Sequence, residues 1–285
     1  MAKVLVNDQL IERTEAVIDI EDRGYQFGDG VYEVIRIYDG MAFTADEHLD
    51  RFFHSAEKIK MEMPFDKQQM LQFIEQLIKE NNLQDGSIYM QVTRGATARN
   101  HLFPGKDIKP VLTAYTKEVA RPEKKLENGV KAMVTEDIRW LRCDIKSLNL
   151  LPNVLAKQEA KEQDCYEAIL HRNGTVTEGS SSNAYIIKDG KIITHPATNL
   201  ILNGITRQVI LQLCQANQIP VAEEEFHLDD LKTADEIFVS STTSEVMPIV
   251  QLDGQSIGDG KPGPLTKKLQ SLFLEKIEEV KTQKM

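Results

Sequence analysis

The run Arg139-Trp140-Leu141-Arg142-Cys143-Asp144-Ile145-Lys146-Ser147-Leu148-Asn149-Leu150-Leu151 sets one lysine among apolar neighbours, Ile145, Leu148, Leu150 and Leu151. Burial disfavours an ammonium, so such an amine can be drawn below its free pKa of about 10.4 and made nucleophilic toward an aldehyde. A solvated lysine is the competing reading, because long charged side chains are seldom fully buried. Thr177-Glu178-Gly179-Ser180-Ser181-Ser182-Asn183 follows a strand and packs a carboxylate among small hydrogen-bonding residues. It reads either as a polar turn or as a carboxylate offered to a ligand nitrogen. Gly204-Ile205-Thr206-Arg207 opens a helix that carries Val209. Its free N–H groups make an anion site unless a threonine N-cap uses them. Ser240-Ser241-Thr242-Thr243-Ser244-Glu245 follows the strand Ile237-Phe238-Val239, and Thr242-x-x-Glu245 has capping-box spacing; Pro248 leaves a helix there little room.

Two basic positions complete the set. Arg51 lies, on a helical wheel, opposite the stripe of Leu49, Phe52, Phe53 and Ala56, where it meets either water or a second domain. Arg99 and His101 are separated by one residue, so in extended chain their side chains leave on one face and can clasp one carboxylate. An exposed basic loop is the plainer account.

The elements that must position these residues show in the periodicity. Leu49, Phe52, Phe53, Ala56 and Ile59 recur at helical spacing, as do Met70, Phe73, Ile74, Leu77 and Ile78. Glu33 to Tyr38 ahead of Asp39-Gly40, the alternation through Ile88, Met90 and Val92, and Val111 to Thr116 read as strands. The polar, proline-bearing run from Lys117 to Lys125 reads as a linker. Beyond it Asn173-Gly174 and Asp189-Gly190 punctuate two hairpins, which predicts a meander or barrel-like sheet. Val209, Ile210, Leu213 and Cys214 mark a helix ending before Pro220, and Leu265, Leu269, Leu272, Phe273 and Val280 a last one.

Composition narrows the function classes. At 285 residues the chain exceeds the common single-domain size, which predicts two domains, 1–120 and 121–285. A net charge of −10 without a Lys/Arg cluster argues against nucleic acid, and no apolar run is long enough to span a bilayer. Cys143, Cys165 and Cys214 are too few and too scattered for a disulfide framework or a C-x-x-C site, and the six histidines show no metal-binding spacing. Acidic residues close to Met1 argue against a secretory signal, so a cytoplasmic protein acting on small molecules is expected.

Taken in order, Asp22-Arg23-Gly24-Tyr25-Gln26-Phe27-Gly28-Asp29-Gly30-Val31-Tyr32-Glu33, Arg139 to Leu151, Thr177 to Asn183, Gly204 to Arg207 and Ser240 to Glu245 resemble the fold-type IV pyridoxal-phosphate enzymes. The likeness covers nearly the whole chain and is greatest to the bacterial D-amino acid aminotransferases. It implies an α/β (α+β type) fold in two domains, a smaller N-terminal α/β domain and a larger C-terminal one with a barrel-like sheet, the cofactor between the two. It implies that Lys146 holds pyridoxal 5'-phosphate covalently and then moves the proton, and that Glu178 keeps the pyridine nitrogen protonated. Arg51, the amides of Ile205 and Thr206, and the hydroxyls of Thr206 and Thr242 would bind the phosphate. Tyr32, Arg99 and His101 would take the substrate α-carboxylate, the Arg99 loop arriving from the partner subunit of a homodimer. Branched-chain L-aminotransferases and aminodeoxychorismate lyases resemble the same scaffold and share the lysine, the glutamate and the phosphate site. The Arg99-x-His101 pair points to D-amino acids, with D-alanine and 2-oxoglutarate giving pyruvate and D-glutamate. No proposed site position departs from the family pattern.

Overall fold

Residues 2–282 are described by this computed structural model. The chain opens on a hairpin, β1 (Lys3–Val6) and β2 (Gln9–Glu12), and a short helix α1 (Arg23–Phe27) leads into the long strand β3 (Gly30–Tyr38). There follow β4 (Met41–Ala42), α2 (Ala45–Lys58), α3 (Lys67–Glu80), β5 (Gly86–Thr93) and β6 (Val111–Glu118). The strands form one antiparallel sheet in the order β2-β1-β6-β5-β3-β4. Alternation along β3 buries Val31, Glu33 and Ile35 on one face, and the apolar members pack with Leu49, Phe52 and Ala56 of α2 and Met70, Ile74 and Leu77 of α3. The two helical stripes expected from periodicity are therefore the buried stripes. Asp66 starts α3 by accepting the Gln69 N–H, and Gln69 returns the bond in a capping box. Lys117 and Glu118, expected in the linker, instead finish β6 opposite Ser87 and Gly86. Their polarity reflects exposure at a sheet end, not the absence of a strand.

The rest of the chain comprises α4 (Glu123–Asn128), β7 (Val130–Glu136), α5 (Leu151–Glu162), β8 (Glu167–Arg172), β9 (Thr175–Gly179), β10 (Asn183–Lys188), β11 (Lys191–Thr194) and α6 (Ile205–Ala216). It ends with β12 (Val221–Glu223), α7 (Leu228–Thr233), β13 (Glu236–Ser241), β14 (Glu245–Leu252), β15 (Gln255–Ser256) and α8 (Pro264–Thr282). Both expected hairpins form, with Asn173 and Gly174 at φ 50° and 85° and Asp189 and Gly190 at 49° and 74°. Two successive positive φ values are what a tight type I′ turn requires. The second sheet runs β12-β11-β10-β13-β14-β7-β8-β9, with β15 on β14. A turn of only Ser180–Ser182 joins β9, at one end of this order, to β10, near the other. The sheet must therefore curl on itself, which makes it the expected barrel-like sheet.

Three local expectations are corrected. Leu151 is 69% exposed at the start of α5, so the lysine segment is apolar on one side only: Ile145 is buried, and Leu148 and Leu150 are half-buried. The helix expected around Val209 begins at Ile205, capped by Gly204 and not by a threonine. Thr242 to Ser244 form a turn and Glu245 opens β14, so the capping-box spacing starts no helix.

Two units result. One takes the described residues up to Arg121, the segment Ile145–Asn149 and the last described residues from Val280; the other takes Pro122–Asp144 and Leu150–Glu279. Among the described residues no helix is long and apolar enough to cross a membrane, and no group of His, Cys, Asp and Glu is arranged to hold a metal ion.

Candidate active site

In the first unit the lysine segment lies alongside the start of β3. Tyr32 N–H donates to the Lys146 carbonyl at 3.0 Å, Leu148 N–H to the Gly30 carbonyl at 3.1 Å, and Ser147 bridges Val31. On the helix side, Lys146 N–H donates to Ser55 Oγ of α2 at 3.2 Å. The half-buried Lys146 carries its Nζ over the Tyr32 ring, 4.3 Å from the centroid. Lys146 and Tyr32 are thus brought together, and the electron-rich ring face favours a cation there. Tyr32 stacks on Tyr89 at 5.7 Å and Tyr89 on Tyr115 at 5.2 Å.

Within the first unit Arg51 turns to the sheet. Its guanidinium forks onto buried Glu33 of β3, Nε to Oε1 at 2.6 Å and Nη2 to Oε2 at 2.9 Å, while His48 Nδ1 lies 2.8 Å from the same Oε2. Burial would raise the Glu33 carboxyl, but the charges and hydrogen bonds of Arg51 and His48 outweigh it and hold the group well below the usual carboxylate range. Burial, with the nearby positive charges of Arg51 and Lys146, pushes His48 down despite Glu33, so its ring is neutral and donates to the carboxylate. His48, Arg51 and Ser55 share one helical face at i, i+3 and i+7. A charged residue at an inward β3 position opposite that face was the available signal for Glu33 and His48, which the sequence reading missed. Arg99 and His101 lie on the exposed, bent segment after β5, and both reach the Phe27 ring, at 4.7 Å and 5.4 Å from its centroid.

In the second unit Glu178 is buried on β9 with both oxygens engaged. Arg139 Nη1 donates to Oε1 at 2.5 Å, and Asn183 Nδ2 and the Leu202 N–H donate to Oε2 at 3.0 and 3.1 Å. Burial raises this carboxyl, the Arg139 charge and hydrogen bond oppose the rise, and the net direction is upward. A site that keeps a carboxylate so short of solvent rewards a protonated ring nitrogen presented to it. Arg139 is fixed by Asp137, which accepts its Nε and Nη2 at 2.8 Å each, and Asp137 also accepts Arg172 Nε at 3.1 Å and Thr177 Oγ1 at 2.9 Å. Arg139 was read only as part of the lysine segment, because nothing in its spacing points to a partner 39 positions away.

Asn183 also donates to the Leu202 carbonyl at 2.8 Å and sits opposite Ser240 in the β10–β13 pairing. The α6 N-terminus and the Ser241–Glu245 turn carrying half-buried Thr242 are therefore at the same end of the sheet as Glu178. Gly204 supplies no side-chain cap, and a Cβ there would come within 2.2 Å of Asn183 Oδ1. Glycine is required by close approach, and the Ile205 and Thr206 amides begin a helix of 12 residues with its positive end outward. Taken unit by unit, the amine on a π-face in the first suits an aldehyde, and the buried carboxylate and the helix N-terminus with a threonine in its first turn in the second suit a protonated ring nitrogen and a phosphate. That donor set fits pyridoxal 5'-phosphate.

The profile of the family described as amino-transferase class IV matches residues 30–252. A D-alanine aminotransferase of Staphylococcus haemolyticus is 53% identical over 278 residues, 98% of this chain and 99% of that protein. Among solved structures, the branched-chain amino acid aminotransferase of Escherichia coli superposes with a TM-score of 0.91 at 26% identity, covering 96% of this chain and 94% of that one. A second branched-chain amino acid aminotransferase, from T.th. and solved with pyridoxamine 5'-phosphate, has a TM-score of 0.88 at 26% identity, covering 96% and 93%.

Proposed function

Since the chain belongs to the class IV aminotransferases, we propose that it is a D-amino acid aminotransferase, moving the amino group of D-alanine and other D-amino acids to 2-oxoglutarate to give pyruvate and D-glutamate. The observation that carries this reading is the 53% identity to a D-alanine aminotransferase over both full lengths, against 26% to the branched-chain structures of the same fold. The intact Arg99-x-His101 pair supports it further.

The cofactor is pyridoxal 5'-phosphate, which when bound supplies an aldehyde for amines and a ring that draws electrons from Cα. Lys146 holds it and, once freed, carries the proton away from the substrate's Cα; the Tyr32 ring face gives the released amine a resting place. Glu178 holds the proton on the ring nitrogen, and Arg139 and Asn183 keep the carboxylate aimed. The Ile205 and Thr206 amides, the Thr206 and Thr242 hydroxyls and Arg51 bind the phosphate. Tyr32, Arg99 and His101 bind the α-carboxylate that donor and acceptor share.

A homodimer in the cytoplasm is part of this proposal. In its support, the first unit leaves Val17, Ile20, Tyr25, Leu102 and Phe103 more than half exposed, an apolar surface suited to a second copy. Sedimentation at working concentration should return twice the mass of one chain. The deciding experiment adds D-alanine and L-alanine separately to the purified holoenzyme and follows the cofactor absorbance. D-alanine should convert the aldehyde form to the amine form and L-alanine should do so far more slowly. Faster conversion by L-leucine would replace this reading with the branched-chain one.

A further inference from the structure

The stretch Asp22 to Asp29 carries part of the sequence likeness but none of the roles given above. Here α1 is locked to the end of β5. Asp22 accepts the Gly24 N–H at 2.8 Å and the Thr93 hydroxyl at 2.6 Å, and a Cβ on Gly24 would come within 2.3 Å of Thr93 Cγ2. Asp29 ties Arg23 (Nε, 2.8 Å) to Arg94 (Nε, 2.9 Å), and Arg94 continues to the carbonyls of Lys60 and Ile59 at 2.9 and 2.8 Å. In this base Asp22, Arg23, Thr93 and Arg94 are buried and Asp29 is half-buried.

From it, contacts reach out to the exposed segment after β5. Arg23 Nη1 donates to the Asn100 carbonyl at 2.6 Å, fixing the backbone between Arg99 and His101. One ring, Phe27, meets both flanking side chains, with the Arg99 guanidinium 4.7 Å from its centroid and the His101 ring 5.4 Å away at 55°. Arg23 itself lies 4.9 Å from that centroid, and Arg94 lies 3.9 Å from the Phe103 ring. An exposed arginine is rich in rotamers, and holding it for a ligand costs side-chain entropy. A guanidinium lying on an aromatic face has already lost part of that freedom and still offers its N–H edge to a carboxylate.

We propose that Phe27 is the positioning residue of the carboxylate-binding loop, its single ring holding Arg99 and His101 ready for the substrate carboxylate. The proposal rests on the reading of Arg99 and His101 given above. Its test compares the holoenzymes of Phe27→Leu, Phe27→Tyr, Arg99→Ala and Phe27→Leu/Arg99→Ala by steady-state kinetics, and measures by calorimetry the binding of glutarate, a dicarboxylate with no amino or oxo group to transfer. Phe27→Leu should raise KM for D-alanine and for 2-oxoglutarate about fivefold, the scale of an exposed cation–π contact, with kcat within about twofold. The glutarate dissociation constant should rise in step, Phe27→Tyr should restore all three, and adding Phe27→Leu to Arg99→Ala should raise KM by less than Phe27→Leu does alone, the remainder being the His101 share. If Phe27→Leu does not fold, Phe27→Met fills the same space without a ring. Unchanged KM in Phe27→Leu beside raised KM in Arg99→Ala overturns the role of Phe27 and leaves Arg99 in place. A fall in kcat alone also overturns it, and unchanged KM in Arg99→Ala overturns the underlying reading and the proposal together.

Discussion

At the scale of single residues, the proposed chemistry rests on two groups whose surroundings differ. Lys146 is half-buried on a tyrosine face, and in the proposed reaction it alternates between holding a group and moving a proton. Lys146→Ala should fold, lose the covalent cofactor absorbance and lose at least the ~10² to 10⁴-fold that general acid–base catalysis supplies. Near-normal transamination by that variant would remove Lys146 from the mechanism. Glu178 should be replaceable by glutamine with the cofactor retained, because Arg139, Asn183 and the Leu202 amide surround a side chain of unchanged shape. The neutral amide leaves the ring nitrogen without its counter-charge, so single-turnover kinetics should show slowed proton abstraction. An unchanged rate would show that the carboxylate only anchors. Lys146 and Glu178 could be singled out from the sequence because each stands in an uncommon local setting, a lysine among apolar residues and a glutamate among small polar ones. Glu33, His48, Arg139 and Asp137 were not, because the partners that give them meaning include ones 15 to 40 positions away, Glu33 with His48, Arg139 with Glu178 and Asp137 with Thr177, and only the fold puts these beside them.

At the scale of elements, the helices α2 and α3 were legible from apolar period alone, and the two hairpins from Asn-Gly and Asp-Gly. The opening of α6 within Gly204–Arg207 was legible, while the residue at its cap, Gly204 and not a threonine, was left open. The barrel-like character of the second sheet was anticipated from those hairpins, but its strand order was not, because β7, β8 and β14 meet across long stretches of sequence. What α6 depends on is Gly204, extended at φ −64° and under no backbone strain, yet with no room for a methyl group beside Asn183. Gly204→Ala therefore acts by collision: it should push Asn183 from Glu178, tilt the first turn of α6, and weaken cofactor binding about tenfold, the cost of roughly one lost charge-assisted hydrogen bond. Fluorescence titration of the stripped protein with pyridoxal 5'-phosphate would measure it. Unchanged affinity would mean that Asn183 moves freely and that the helix start is not tuned by it.

For the whole molecule, each unit buries carboxylates that stay ionised, and this shapes its response to acid. Glu33 in the first unit and Asp137 in the second both sit below their ordinary values. Burial would raise Asp137, but the hydrogen bonds and charges of Arg139 and Arg172 bring it down from 3.8 to about 2. A carboxyl whose folded value is depressed binds its proton more readily in the unfolded chain. Its stabilising contribution is therefore complete above pH 3.8 and drains away as pH falls through about 2. For Asp137 that contribution is roughly 2 kcal/mol. General acid unfolding adds to the effect, because 34 lysines and arginines and six histidines lose their opposing charge as carboxylates protonate. Asp137→Asn separates the two causes: it keeps the shape, removes one titrating group and leaves the global charge almost unchanged. Urea midpoints measured from pH 6 to pH 2.5 should be nearly level down to about pH 5 and then fall for the parent chain. The variant should start lower, with Arg139 and Arg172 short of a partner, and fall less steeply below pH 4, so that the two curves converge toward acid. Parallel curves would show that Asp137 has the same proton affinity folded and unfolded, and that the Arg139 network holds Glu178 by geometry without charge.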